Sequence, residues 1–166
     1  MNAFALPPGH DLAEYPGDLD PVAAEVLRLL RLWRATGTCR EAVCLAAPMQ
    51  FGAARAQAVL QSLSGFSDLL DLRSARPLAF RCPDSGRLGL DEAQVARLIT
   101  FATAGALDEA EMIARRFLHG EAAGKAAALA HGLGQMLSTG DWAPASGCPF
   151  ACPTRLVANL CPKAGA

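Results

Sequence analysis

Apolar residues return every three or four positions along most of the chain, with polar residues between them. That period matches one face of an α-helix rather than the alternation of a half-buried strand. The clearest run is "DLDPVAAEVLRLLRLWRATG". Val22, Val26, Leu29, Leu30 and Trp33 share a helical face. Asp20 is placed to cap the first turn, Pro21 suits its first position, and Gly37 is set to stop it. Arg28, Arg31 and Arg34 run along another face and read as a solvated stripe.

Further along, "CREAVCLAA" predicts a short helix ended by Pro48, and "GAARAQAVLQSLSGF" a helix stopped at Gly65. "SDLLDLRSA" holds one further turn. "RPLAFRCPDSGRL" breaks the period and predicts a short extended arm near residues 77–82, then a type I turn at Pro83-Asp84-Ser85-Gly86. "LDEAQVARLITFATAG" and "LDEAEMIARRFLHG" each open with an acid and a polar partner three residues on, as a capping box does. The pairs are Asp91 with Gln94 and Asp108 with Glu111. "EAAGKAAALAHGLGQMLSTG" is the last helix.

The predicted fold is therefore mostly α, a single-domain helical bundle of about six helices over residues 20–140. An irregular lead-in, 1–19, precedes it, and a Cys/Pro-rich tail, 141–166, packs on the domain with Trp142 and Phe150 as anchors. A shift of 68 residues places Gly37, Glu41, Ala42, Gly52, Ala54 and Ala58 on Gly105, Glu109, Ala110, Gly120, Ala122 and Ala126. Two similar three-helix halves would produce that match.

Composition supports helices: hydrophobic residues make up 52% of 166, much of it alanine, and aromatics only 6%. The net charge of −1 gives no basic footprint for nucleic acid. No apolar run of about 18 residues suggests a membrane span. The N-terminus lacks the basic and apolar regions of a signal peptide. The expected setting is cytoplasmic, where cysteines stay reduced.

Cysteine is where the chain points toward chemistry. Of six cysteines, four are followed by proline: Cys82, Cys148, Cys152 and Cys161. Chance would give about 0.4 such pairs. A metal-bound thiolate is steadied by backbone N–H groups aimed at it, and proline presets the tight turn that aims them. "CPDSG", residues 82–86, resembles the C-P-x-C-G knuckle of zinc ribbons and rubredoxins, with serine in the second cysteine's place. The tail spacing is C-x3-C-x8-C, against the commoner C-x2-C. The four cysteines together could hold zinc or, less in keeping with the sequence, an iron–sulfur cluster. Packing of the tail and redox pairing are the alternatives, and Cys39 and Cys44 read as small buried hydrophobes.

Other motifs carry less. "GEAAGK" lacks phosphate-loop spacing, with Ala126 where a hydroxyl is needed. His119 and His131 have no ligand-spaced partner, and His10 has none in the lead-in. Residues 40–63 have a helix-turn-helix outline, offering Arg55, Gln57 and Gln61 to a groove. The leading expectation is a non-enzymatic accessory or regulatory protein acting through protein–protein contacts, with a structural thiolate site. The alternatives are a small DNA-binding regulator using residues 40–63, and an enzyme whose site is assembled from residues distant in sequence.

Overall fold

The computed structural model describes residues 19–35 and 37–138. The lead-in and the tail, with His10, Cys148, Cys152 and Cys161, lie outside the described residues but for Leu19. Six helices follow in order: α1 (Pro21–Arg34), α2 (Gly37–Phe51), α3 (Ala53–Arg73), α4 (Leu90–Thr103), α5 (Leu107–Ala114) and α6 (Ala122–Ser138). The fold is a mostly α bundle, as expected. No strand occurs among the described residues; a lone antiparallel bridge joins Ser74 to Leu118.

The start of α1 matches its sequence. Asp20 Oδ2 accepts from the Val22 and Ala23 N–H groups at 3.1 Å each, with Pro21 in the first turn. Val26, Leu29 and Leu30 are buried in the core, and Trp33 packs against its edge.

Several boundaries differ from expectation. Gly37 opens α2 instead of stopping α1, and Pro48 lies inside α2, which runs on to Phe51. Proline removes one i→i−4 bond there, but Pro48 is solvent-exposed and only one turn remains. Gly65 does not end α3. Val59, Leu63, Phe66 and Leu70 carry one buried stripe straight across it, and tertiary packing outweighs the weak propensity of a single glycine.

The capping roles also shift. α4 begins at Leu90 with Gly89 as its N-cap, and Glu92, not Gln94, reaches back to accept the Gly89 N–H at 2.7 Å. Ala106 precedes α5 without a side-chain cap, and Asp108 and Glu109 sit in the first turn as dipole partners.

The helices pack as two triplets in the same order. α2 lies on α1 and α3, α5 lies on α4 and α6, and the triplets meet where α1 crosses α4 and α3 crosses α6. Gly52 and Gly120, 68 positions apart, both take left-handed backbone before the third helix of their triplet. Buried positions agree as well. Ala56, Val59, Leu63, Phe66, Ser67 and Leu70 of α3 match Ala123, Ala126, Ala130, Leu133, Gly134 and Leu137 of α6 at an offset of 67. The α4–α6 crossing is close: a Cβ on Gly134 would lie 2.3 Å from Thr103 Oγ1.

Residues 75–89 form the arm between α3 and α4. Three of its N–H groups, those of Ala79, Arg81 and Gly89, are taken by side chains of α4. Ala79 N donates to Asp91 Oδ2 at 2.8 Å and Arg81 N to Glu92 Oε1 at 2.9 Å. Leu78 tucks into the core beneath these bonds.

Candidate functional site

The proline-linked turn is built as the sequence suggests: Ser85 N donates to Cys82 O at 2.9 Å. What fixes it was not foreseen. Arg31, read from sequence as part of a solvated stripe, is buried with 4% exposure. Its Nη1 donates to Ser85 O and its Nη2 to Arg87 O, both at 2.8 Å. Its Nε and Nη2 also donate to Glu92 Oε1 and Oε2 at 2.7 and 2.9 Å.

Glu92 is fully buried. It accepts from Arg31 twice and from the Arg81 and Gly89 N–H groups. Burial opposes its charge, but the Arg31 hydrogen bond and the two backbone N–H groups outweigh that, holding the carboxyl below the ordinary carboxylate range. One guanidinium and one carboxylate thus clamp both sides of the Cys82 turn between α1 and α4.

Beside it, Asp91 is held low chiefly by its hydrogen bond from Arg76, with burial opposing and the Ala79 N–H assisting. That pair, at 2.5 Å, is open to water on the arginine side.

Cys82 is disulfide-bonded. Cys39 is buried, as expected; Cys44 is exposed on α2, contrary to expectation. Among the described residues no group of three His, Cys, Asp or Glu side chains is placed to hold a metal. The other three cysteines of the candidate metal set, Cys148, Cys152 and Cys161, lie outside the described residues.

The helix-turn-helix outline becomes α2 and α3 joined at Gly52, but the face it would offer DNA is not basic. Gln57 and Gln61 are exposed on α3, together with Asp68 and Asp71, while Arg55 is turned to Met136 O at 3.2 Å. On α1, Arg28 pairs with Glu25, and Arg34 pairs with Asp71 and stacks on Phe80. The arginine stripe is spent on internal partners. The "GEAAGK" stretch enters α6, and Gly124 sits against the Glu111 carboxylate, a charge that repels phosphate. His131 Nδ1 donates to Ala102 O at 2.7 Å, a satisfied structural histidine, and exposed His119 lends its backbone N–H to Arg73 O.

The outward face of α2 is the feature sequence reasoning passed over. Leu45 is 77% exposed and Met49 92% exposed, with Cys44 and Pro48 exposed beside them. These positions are spaced i, i+1, i+4 and i+5, so they form one patch on a helical surface. Cys39, Val43 and Ala47 bury the opposite face. Apolar residues on both faces of "CREAVCLAAPMQF" were the available signal.

No known protein family, curated protein or solved structure matches the chain. No helix among the described residues is long and apolar enough to cross a membrane.

Proposed function

We propose that this is a non-enzymatic accessory or regulatory protein that works through protein–protein contact, with the outer face of α2 as its docking surface. The observation that carries the reading is the exposed Leu45–Met49 patch on a helix whose other face is fully used by the core. Contiguous apolar surface on a small domain marks a contact site more often than scattered exposed residues do. A groove-binding partner would read α2 through anchors one helical turn apart.

Leu45→Glu with Met49→Glu tests it. Proteins captured by the wild-type chain from its source cells should be lost from the double variant, and unchanged capture would refute the reading.

The proposal extends to a structural zinc site in the reduced chain, held by Cys82, Cys148, Cys152 and Cys161. The preformed, clamped Cys-Pro turn supports it, because a thiolate ligand needs a fixed position. The disulfide at Cys82 must be opened first, since the ligand is the thiolate. Four thiolates leave no open coordination position, so the metal would be structural. One zinc per chain in protein purified reduced and without oxygen supports the extension. A metal-free, fully reduced chain in excess zinc contradicts it.

A further inference from the structure

We propose that the outer side of the Ser74–Leu118 bridge is an anion-binding site, where Arg73 and His119 hold the phosphate of a phosphate monoester. This does not rest on the reading of α2 as a docking surface.

The bridge sets the pair in place. Ala75 N donates to Phe117 O and His119 N to Arg73 O, both at 3.0 Å, on either side of the bridged residues. Side chains alternate across such a pairing, so Arg73 and His119 leave on one side, Ser74 and Leu118 on the other. Leu118 enters the core, and Ser74 Oγ turns back to Leu70 O. Arg73 and His119 are both exposed. Residues opposed in this way have Cα atoms about 5.5 Å apart.

No acid answers this pair. Among the described residues the side chains of Arg73, His119, Arg116 and Lys125 make no hydrogen bond or ion pair. Arg116 belongs to the same connection between α5 and α6 as His119. Lys125 lies in the first turn of α6, whose opening residue, Ala122, donates its N–H to His119 O at 3.2 Å. The neighbouring acids are mostly spent: Asp71 pairs with Arg34, and Glu111, beside Gly124, pairs with Arg115 at 2.6 Å. Glu121 is left, against four basic groups.

Basic groups opposed across a pairing repel each other. Arg73 and Arg116 suit the C-terminal ends of α3 and α5, but a lysine in the first turn of α6 opposes the helix dipole. Departures from local rules of this kind fall at functional positions. A bound anion would offset the repulsion. The guanidinium fork matches two phosphate oxygens, and the imidazole N–H can donate to a third. A phosphate monoester, with about −1.5 to −2 charges at pH 7, meets several cations better than a carboxylate does.

The test titrates the full chain, with isotope-labelled histidine, with inorganic phosphate at pH 7 and fixed ionic strength. Imidazole signals are followed by NMR. The His119 signals should move to saturation, while those of His131, bonded to Ala102 O, stay in place. Arg73→Gln should weaken binding about tenfold, the value of one hydrogen bond to a charged group. Its melting curve should overlay the wild type, because the side chain is exposed. Arg87→Gln removes the same charge from the arm and should leave the phosphate curve unchanged.

Glycerol phosphate and a degenerate library of phosphoserine peptides separate the two sources of the ligand. Peptides held about tenfold more tightly than glycerol phosphate would assign a phosphorylated protein, and equal binding a free ester. Three results would overturn the proposal: a shift reproduced by chloride, equal phosphate curves for Arg73→Gln and wild type, or equal losses from Arg73→Gln and Arg87→Gln. Each would make these cations an ordinary solvated surface.

Discussion

Replacing Glu92 with glutamine should destabilise the protein more than any other single change of similar size. Glutamine keeps the volume but removes the charge, and turns an amide donor toward groups that are all donors: Arg31, Gly89 N and Arg81 N. The guanidinium of Arg31 is then left buried without its counter-charge. Removing one partner of a buried pair costs about 3–5 kcal/mol. Domains of ordinary stability hold only about 5–15 kcal/mol in all. For this chain length each kcal/mol shifts the melting point by about 2–4 °C, so a fall of about 6–20 °C is expected. Thermal melts and urea titrations followed by circular dichroism read it, with an unchanged m-value showing that the denatured state is not the cause. A loss under about 1 kcal/mol, the value of an exposed pair, would refute the placement of this pair in the interior.

The pH dependence gives the same variant a second readout. The Glu92 and Asp91 pKa values are depressed by folding from ordinary values of 4.5 and 3.8. Depressed carboxylates contribute stability that is complete above the ordinary value and drains away as pH falls through the folded one. Wild-type stability should therefore drop steeply below about pH 4.5. Glu92→Gln should drop less over the same interval, because the residue no longer titrates. Parallel curves would contradict the assignment.

Four smaller outcomes are expected. Gly134→Ala should cost about 1–3 kcal/mol by driving a methyl into Thr103, and Thr103→Ala in the same chain should restore most of it in thermal melts. Arg76→Ala should leave the thermal melt nearly unchanged, since its pair with Asp91 is solvent-screened. Asp20→Ala should cost about 1 kcal/mol through loss of the α1 cap, read by urea midpoint. In native protein a thiol reagent should label Cys44 rapidly and Cys39 only as the fold opens, as peptide mapping over time would show.

What could be read from the chain followed from local physics. The cap at Asp20 and Pro21, the buried stripe of α1, the turn after Cys82 and the helical class all depend on neighbours within a few residues. The two-triplet arrangement was visible because Gly, Glu and Ala positions recur at an offset of 68, among them Gly52 and Gly120, which the structure shows to share left-handed backbone. Misreadings came where distant residues decide. Gly65 and Pro48 look like breakers, yet the stripes of α3 and α2 hold the helices together across them. Arg31 looks like surface because its partner stands 61 positions away, and nothing local marks Glu92 as that partner rather than a dipole acid. The α2 patch escaped notice because a helix apolar on both faces resembles a buried one until its neighbours are known.

The direct test of the functional account pairs two measurements on the Leu45→Glu, Met49→Glu chain. Both side chains are exposed, so the melting curve should overlay the wild type, the stability change staying within about 0.5 kcal/mol. Quantitative comparison of captured proteins should show the wild-type set lost from the variant. A variant that folds as well as the wild type and captures the same proteins would contradict the claim that this helix face is where the protein acts.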